Sequence, residues 1–227
     1  MDLSASALFD LQEFAHREIF SDCRYVWEAI PKIKSYLERS TFSSHPPTIL
    51  GEAYIGEQVT FGEGVVVEPG AVILGPAIIG HCTRIRTGAY LRENVIIGEN
   101  CILGNSCEFK NCILMNDCQV PHFSYVGDSI LGNGVHLGAG VILSNLKLTG
   151  DEIVLHHLGK AYPTGLRKLG ALIGDRAEIG CQAVLNPGSI IGRESLIYPS
   201  VVWRGILEER QIVKLSQTLQ ICPRRKV

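Results

Sequence analysis

The chain has 227 residues, room for one sizeable domain with a smaller appendage, and its net charge is only −2. That balance excludes a basic surface built for nucleic acid or an acidic membrane. With 46% hydrophobic but only 7% aromatic residues the core must be aliphatic, and the 24 glycines recur through the middle of the chain instead of clustering in a linker.

The opening MDLSASALFDLQEF carries early acidic residues and no apolar run of signal-peptide length. No stretch of about 18 uninterrupted apolar residues occurs, so no membrane span is expected and the predicted location is cytoplasmic. Residues 5–20 place Leu8, Leu11, Phe14 and Ile19 near helical spacing. Residues 24–39 do likewise, with Pro31 as a bend or boundary. Together, 1–47 are predicted to form a helical cap and linker (FSSHPPT, 42–48) covering the open ladder edge of the first coil.

From residue 48 onward the spacing changes. Steps of six from Ile55 land on Ile55, Phe61, Val67, Ile73, Ile79, Ile85, Leu91, Ile97, Leu103 and Phe109, all large and apolar. Chance would fill one such frame roughly once in two thousand trials at this composition. Four residues after each of these stands a small or β-branched residue, such as Val65, Ala71, Ala89 or Cys101, and glycine often follows the large one, as in Ile55-Gly56 and Ile97-Gly98. A large inward residue, a small corner and a turn glycine at a period of six predict a parallel β-helix. Three units make one triangular coil, and successive coils pair about 4.8 Å apart.

The frame slips by one residue between Phe109 and Leu114 and again between Val126 and Leu131, then resumes from Ile173 to Trp203. The β-helix is thus predicted over 48–205, with 147–172 extruded as a loop or hairpin, and 206–227 as a tail covering the far end.

Register then shows which side chains stack. Arg92 and Lys110 follow Leu91 and Phe109, one coil apart, so two cations should stand about 5 Å from each other. They are either an anion site or two solvated surface charges. His122 follows Val120 at a turn, with Asn105 in the coil below and Ala139 above; Glu108 should stack beneath Tyr125. Each could equally be an ordinary polar ladder residue. The 8 cysteines suit no disulfide scaffold in so long a chain, and Cys101, Cys107 and Cys118 fall at wall positions as small buried hydrophobes. His81 and His122 fall on different corners, so no zinc or other metal site is predicted.

The stretch GNSCEFKNCILMNDCQVPHFSYVGDSILGNGVHLGAGVILSN (104–145) resembles the acetyltransferase domain of the bacterial bifunctional glucosamine-1-phosphate acetyltransferase/uridyltransferase. The order E-x-K, P-H-x-S-Y-x-G-D, G-A-G and N carries the likeness. The resemblance implies a left-handed β-helix, a homotrimer, and transfer of acetyl from acetyl-CoA to the amine of a hexosamine 1-phosphate. It places the catalytic base on His122, its supporting glutamate on Glu108, a substrate-side asparagine on Asn145, and phosphate contacts on Arg92 and Lys110. Tyr125 would bind the sugar, Lys168 would stand for a further substrate lysine across the extra loop, and Ala139 would contact the acyl carrier through its backbone. Three departures stand out: His136 replaces an asparagine before G-A-G, Leu146 an aromatic, and Tyr198-Pro199 the small residues of the coenzyme groove. They leave open a different sugar or acyl donor. They also leave open a non-catalytic trimeric module that partners a separate sugar-1-phosphate nucleotidyltransferase.

Overall fold

A computed structural model describes residues 2–39 and 43–223. From Thr48 onward the chain winds as a parallel β-helix with three faces, carrying nine, eight and eight strands. Thr48–Ile49 begins the first face, Tyr54–Ile55 the second and Val59–Phe61 the third. Inward side chains form continuous ladders: Val67, Ile85, Leu103 and Val120 on the first face, Ile73, Leu91, Phe109 and Val126 on the second, Phe61, Ile79, Ile97 and Leu114 on the third. The predicted six-residue frame is therefore the core itself. Both one-residue slips are present as well. Ile79 pairs with Ile97, but Ile97 then pairs with Leu114 and Leu114 with Leu131, one residue nearer each time.

The wall is close-packed at its corners. Cys101, Cys107, Cys112 and Cys118 are buried within it, and burial pushes the thiols of Cys107, Cys112 and Cys118 above their ordinary range, as suits inert packing groups. At Gly104 a Cβ would run into the Pro121 backbone of the next coil, so glycine there lets the strand that ends at His122 lie close.

The N-terminal segment departs from expectation. Among its described residues only Ala5–Leu8 and Ile33–Arg39 are α-helical, while Arg17–Phe20 and Val26–Lys32 wind as tighter 3-10 turns, the second containing Pro31. Nor does this segment cap the first coil; it runs as a strap along the third face. The reason lies in the strands Ala77–Ile79, Val95–Ile97, Cys112–Leu114 and Ser189–Ile191, which are apolar on both sides. Their middle residues point outward. Ile78, Ile96, Ile113, Ile130, Leu172 and Ile190 form an apolar stripe that the strap buries beneath Leu8, Phe9, Phe14, Ile19, Trp27 and Ile30. Polar anchors fix its course: Arg193 Nη2 donates to Ser6 O (3.0 Å), Asp10 N to Asp175 Oδ2 (2.6 Å), and Asn116 Nδ2 to Glu13 O (3.2 Å). The first coil keeps Ile49, Leu50 and Tyr54 exposed. Of the predicted linker, Phe42 lies outside the described residues, and His45 N already bonds Phe61 O.

Two boundaries also move. The coil runs past 205, because Ile206–Leu207 pairs with Ile190–Ile191 and Ile212–Val213 with Leu196–Ile197. Beyond it Leu219 and Ile221 are exposed, so the described part of the tail does not cover the far end. The insertion is a hairpin of Val154–His157 and Lys160–Pro163, turning through Leu158 and Gly159 with φ of 49° and 74° as a tight two-residue turn requires. It folds against the strap through Ile153, Leu155 and Tyr162, and Ala171 and Leu172 already belong to the third face.

Candidate active site

The strand Tyr125–Gly127 on the second face organises the site: His122 precedes it at one corner, and Asp128 follows it at the other. His122 ends the strand Gln119–His122, with Asn105 paired below it, and its carbonyl accepts Gly140 N (3.0 Å). Its imidazole is exposed beside Phe123 and has no hydrogen-bond partner among the described residues.

At the far corner the expected cation stack is present, since Phe109 pairs with Leu91 and so brings Lys110 beside Arg92. Each cation is met by the chain's own carboxylate. Arg92 Nη1 lies 3.2 Å from Glu108 Oε1, with Glu93 Oε1 at 3.7 Å from Nη2, and Lys110 Nζ lies 3.7 Å from Asp128 Oδ2. The hydrogen bond to Glu108 holds the Arg92 guanidinium above its usual range. The stack is therefore stable without an external anion. The Arg92 pairs are partly exposed and worth about 0–1 kcal/mol, so an incoming phosphate can displace them at small cost.

Glu108 pairs with Tyr125 in register and bonds Arg92, and within one chain it does not support His122. The two residues sit on different faces of adjacent coils, so the contact implied by resemblance is not made within one chain. Tyr125 and Asn145 do come together: Asn145 Nδ2 donates to the Tyr125 hydroxyl (3.1 Å) and to Asp128 Oδ2. Burial, with Asp128 and Glu108 nearby, raises the Tyr125 phenol above its ordinary value, so it stays protonated. Gly127 makes room for the pair, because a Cβ there would overlap the Tyr125 hydroxyl and stand 2.8 Å from Asn145 Nδ2.

Lys168 pairs with Leu146 across the base of the hairpin, which returns it beside Asn145, and its side chain is exposed. Ala139 sits above His122, and its carbonyl accepts Gln182 N (2.8 Å). His136 lines a first-face depression of about 270 Å³ together with Gly138, Cys181, Tyr198 and Pro199. Tyr198-Pro199 is thus part of the wall of an open depression.

Asp128 and Asn111 were not singled out by the sequence. Asp128 is 4% exposed, and it gathers Lys110, Asn145 and Asn111, whose Nδ2 donates to Oδ1 at 2.7 Å. The available signal was the G-D that follows Tyr125 in the motif. Among the described residues no group of three or more His, Cys, Asp or Glu is placed to hold a metal, and no helix is long and apolar enough to cross a membrane.

Fold and repeat define a hexapeptide-repeat parallel β-helix protein. Within that class, residues 73–158 match the GMPPB C-terminal domain family. The chain is 34% identical over 78% of its length to a bifunctional sugar-1-phosphate nucleotidylyltransferase/acetyltransferase of Sulfurisphaera tokodaii, of which it covers 44%. It is 32% identical over 91% of its length to the bifunctional protein GlmU of Methanococcus maripaludis, covering 50% of that protein. The chain therefore spans half or less of these relatives. Among solved structures, UDP-N-acetylglucosamine acyltransferase of Francisella novicida matches with a TM-score of 0.44 and 17% identity, over 72% of this chain and 60% of that one.

Proposed function

We propose that the protein is an acetyl-CoA-dependent N-acetyltransferase acting on a hexosamine 1-phosphate. The observation that carries this reading is one corner of the second face, where the Arg92–Lys110 stack stands beside the Tyr125–Asn145 pair. The cations receive the phosphate, which orients the sugar as much as it adds affinity. Tyr125 and Asn145 hold the sugar's polar groups. His122, an exposed imidazole, takes a proton from the attacking amine as the new amide bond forms and the coenzyme thiolate leaves. A backbone N–H near Ala139 stabilises the thioester oxygen.

His122 and the phosphate corner bound opposite edges of the face, so the site is completed between copies in a homotrimer. Exposed Tyr54, Tyr90, Ile142 and Val202 offer apolar contact surface on that same face. The test is thiol release from acetyl-CoA in the presence of glucosamine 1-phosphate, with His122→Ala alongside. Turnover that falls at least a hundredfold in the variant supports the reading; no turnover with any of several amino-sugar phosphates overturns it.

A further inference from the structure

The amide of Asn145 has only one orientation that its surroundings allow. Asp128, with Lys110 Nζ at 3.7 Å and Asn111 Nδ2 at 2.7 Å, presents a carboxylate, which only accepts hydrogen bonds. The side of Asn145 that faces it must be the NH2, since a flipped amide would set two acceptors against each other. Both amide hydrogens are then committed, one to Asp128 Oδ2 and one to the Tyr125 hydroxyl. Two groups are left over. Asn145 Oδ1 has no partner among the described residues and is not sealed from solvent, and the Tyr125 hydroxyl, already accepting, keeps its own proton to give.

We propose that Asp128 is a positioning residue that sets hydrogen-bond polarity across the site, leaving Asn145 an acceptor and Tyr125 a donor toward the substrate. This rests on the acceptor reading above and narrows it. The substrate must offer an N–H beside an oxygen acceptor, as a 2-amino sugar does through its amine and a neighbouring ring hydroxyl. Asn145 draws one amine hydrogen and so aims the nitrogen lone pair away from itself, while Tyr125 donates to the oxygen. A substrate with a hydroxyl in place of the amine keeps one fewer donor, and a keto group at that carbon would face Asn145 Oδ1 with a lone pair.

The corner itself separates this role from a structural one. Asn94, Asn111 and Asp128 stack there with φ of 63°, 46° and 47°, the left-handed region that Asn and Asp tolerate. Asp128→Asn therefore preserves the backbone while removing the carboxylate, and its amide cannot accept from Asn111 and Asn145 together. The experiment uses the full chain, acetyl-CoA and glucosamine 1-phosphate, with Asp128→Asn, Asn145→Ala, the double variant and Asn145→Asp. The expected result for Asp128→Asn is a KM for the sugar phosphate within about threefold of wild type and a kcat at least about tenfold lower. The double variant should be no slower than Asn145→Ala alone, because the two residues act through one contact. Asn145→Asp, which keeps the acceptor but lacks both donors, should be as slow as Asn145→Ala.

A kcat within about twofold of wild type in Asp128→Asn, multiplying losses in the double variant, or an active Asn145→Asp each overturns the role of Asp128 alone. If Asp128→Asn does not fold, the comparison of Asn145→Asp with Asn145→Ala decides. A wild-type chain that transfers acetyl to no amino-sugar phosphate overturns the acceptor reading, and this inference with it.

Discussion

His16 ties the stability of the strap to pH. It is 5% exposed, its Nδ1 lies 3.1 Å from the Tyr36 hydroxyl, and burial lowers its pKa from 6.5 to about 4. In the unfolded chain this imidazole takes up a proton below about pH 6.5, whereas in the folded strap it stays neutral until about pH 4. Between those values the unfolded state binds more protons, so stability is full above pH 6.5 and is lost as pH falls. At about 1.4 kcal/mol per pH unit, moving from pH 6.5 to pH 5 removes about 2 kcal/mol, which is about 4–8 °C in melting temperature for a chain of this size. Denaturant unfolding followed by tryptophan fluorescence reports on the strap, since Trp27 belongs to it and is buried against the apolar stripe. His16→Gln keeps a polar partner for Tyr36 without a titrating group, and its stability should be nearly level from pH 6.5 to pH 5. A variant whose stability falls in parallel with wild type across that window refutes the assignment to His16.

Four further outcomes follow from the packing and the site. Phe109→Ala empties a fully buried position behind the Arg92–Lys110 stack and should cost about 3–5 kcal/mol by denaturant titration. Gly127→Ala should lower stability by only about 1–3 kcal/mol, because Tyr125 can swing outward, yet abolish most transfer activity in the thiol-release assay. Ile96→Asp places a charge under the strap, and limited proteolysis should then cleave within residues 5–39 while the coil persists. Arg92→Ala should raise KM for the sugar phosphate with little loss of melting temperature, its ion pairs being partly exposed.

The solenoid was readable because a period of six writes each inward ladder directly into the sequence, down to the one-residue slips after Phe109 and Val126. The same strands also carried the outward stripe, in Ala77-Ile78-Ile79 and Val95-Ile96-Ile97, but the inward frame ignores their middle residues. The strap therefore looked like an end cap: its apolar spacing says that it buries a face, not which surface receives it. Stacking predicted Arg92 beside Lys110 and Glu108 beneath Tyr125, both matters of register alone. Asp128 was not legible in this way. Its partners come from different coils, and Asn145 reaches it only through a side-chain contact that no spacing encodes.

The lateral course of the strap changes how the β-helix should behave as a whole. A stack of coils touching only its nearest neighbours is close to one-dimensional, and such arrays can fray or melt piecemeal from either end. Here Ser6 is tied to Arg193, Asp10 to Asp175 and Glu13 to Asn116, so the segment descends the stack against the direction of winding. Coils far apart in sequence are thereby coupled through one splint, and loss of any one of them exposes the apolar stripe shared by the rest. The strap turns a row of weakly linked units into a single cooperative body.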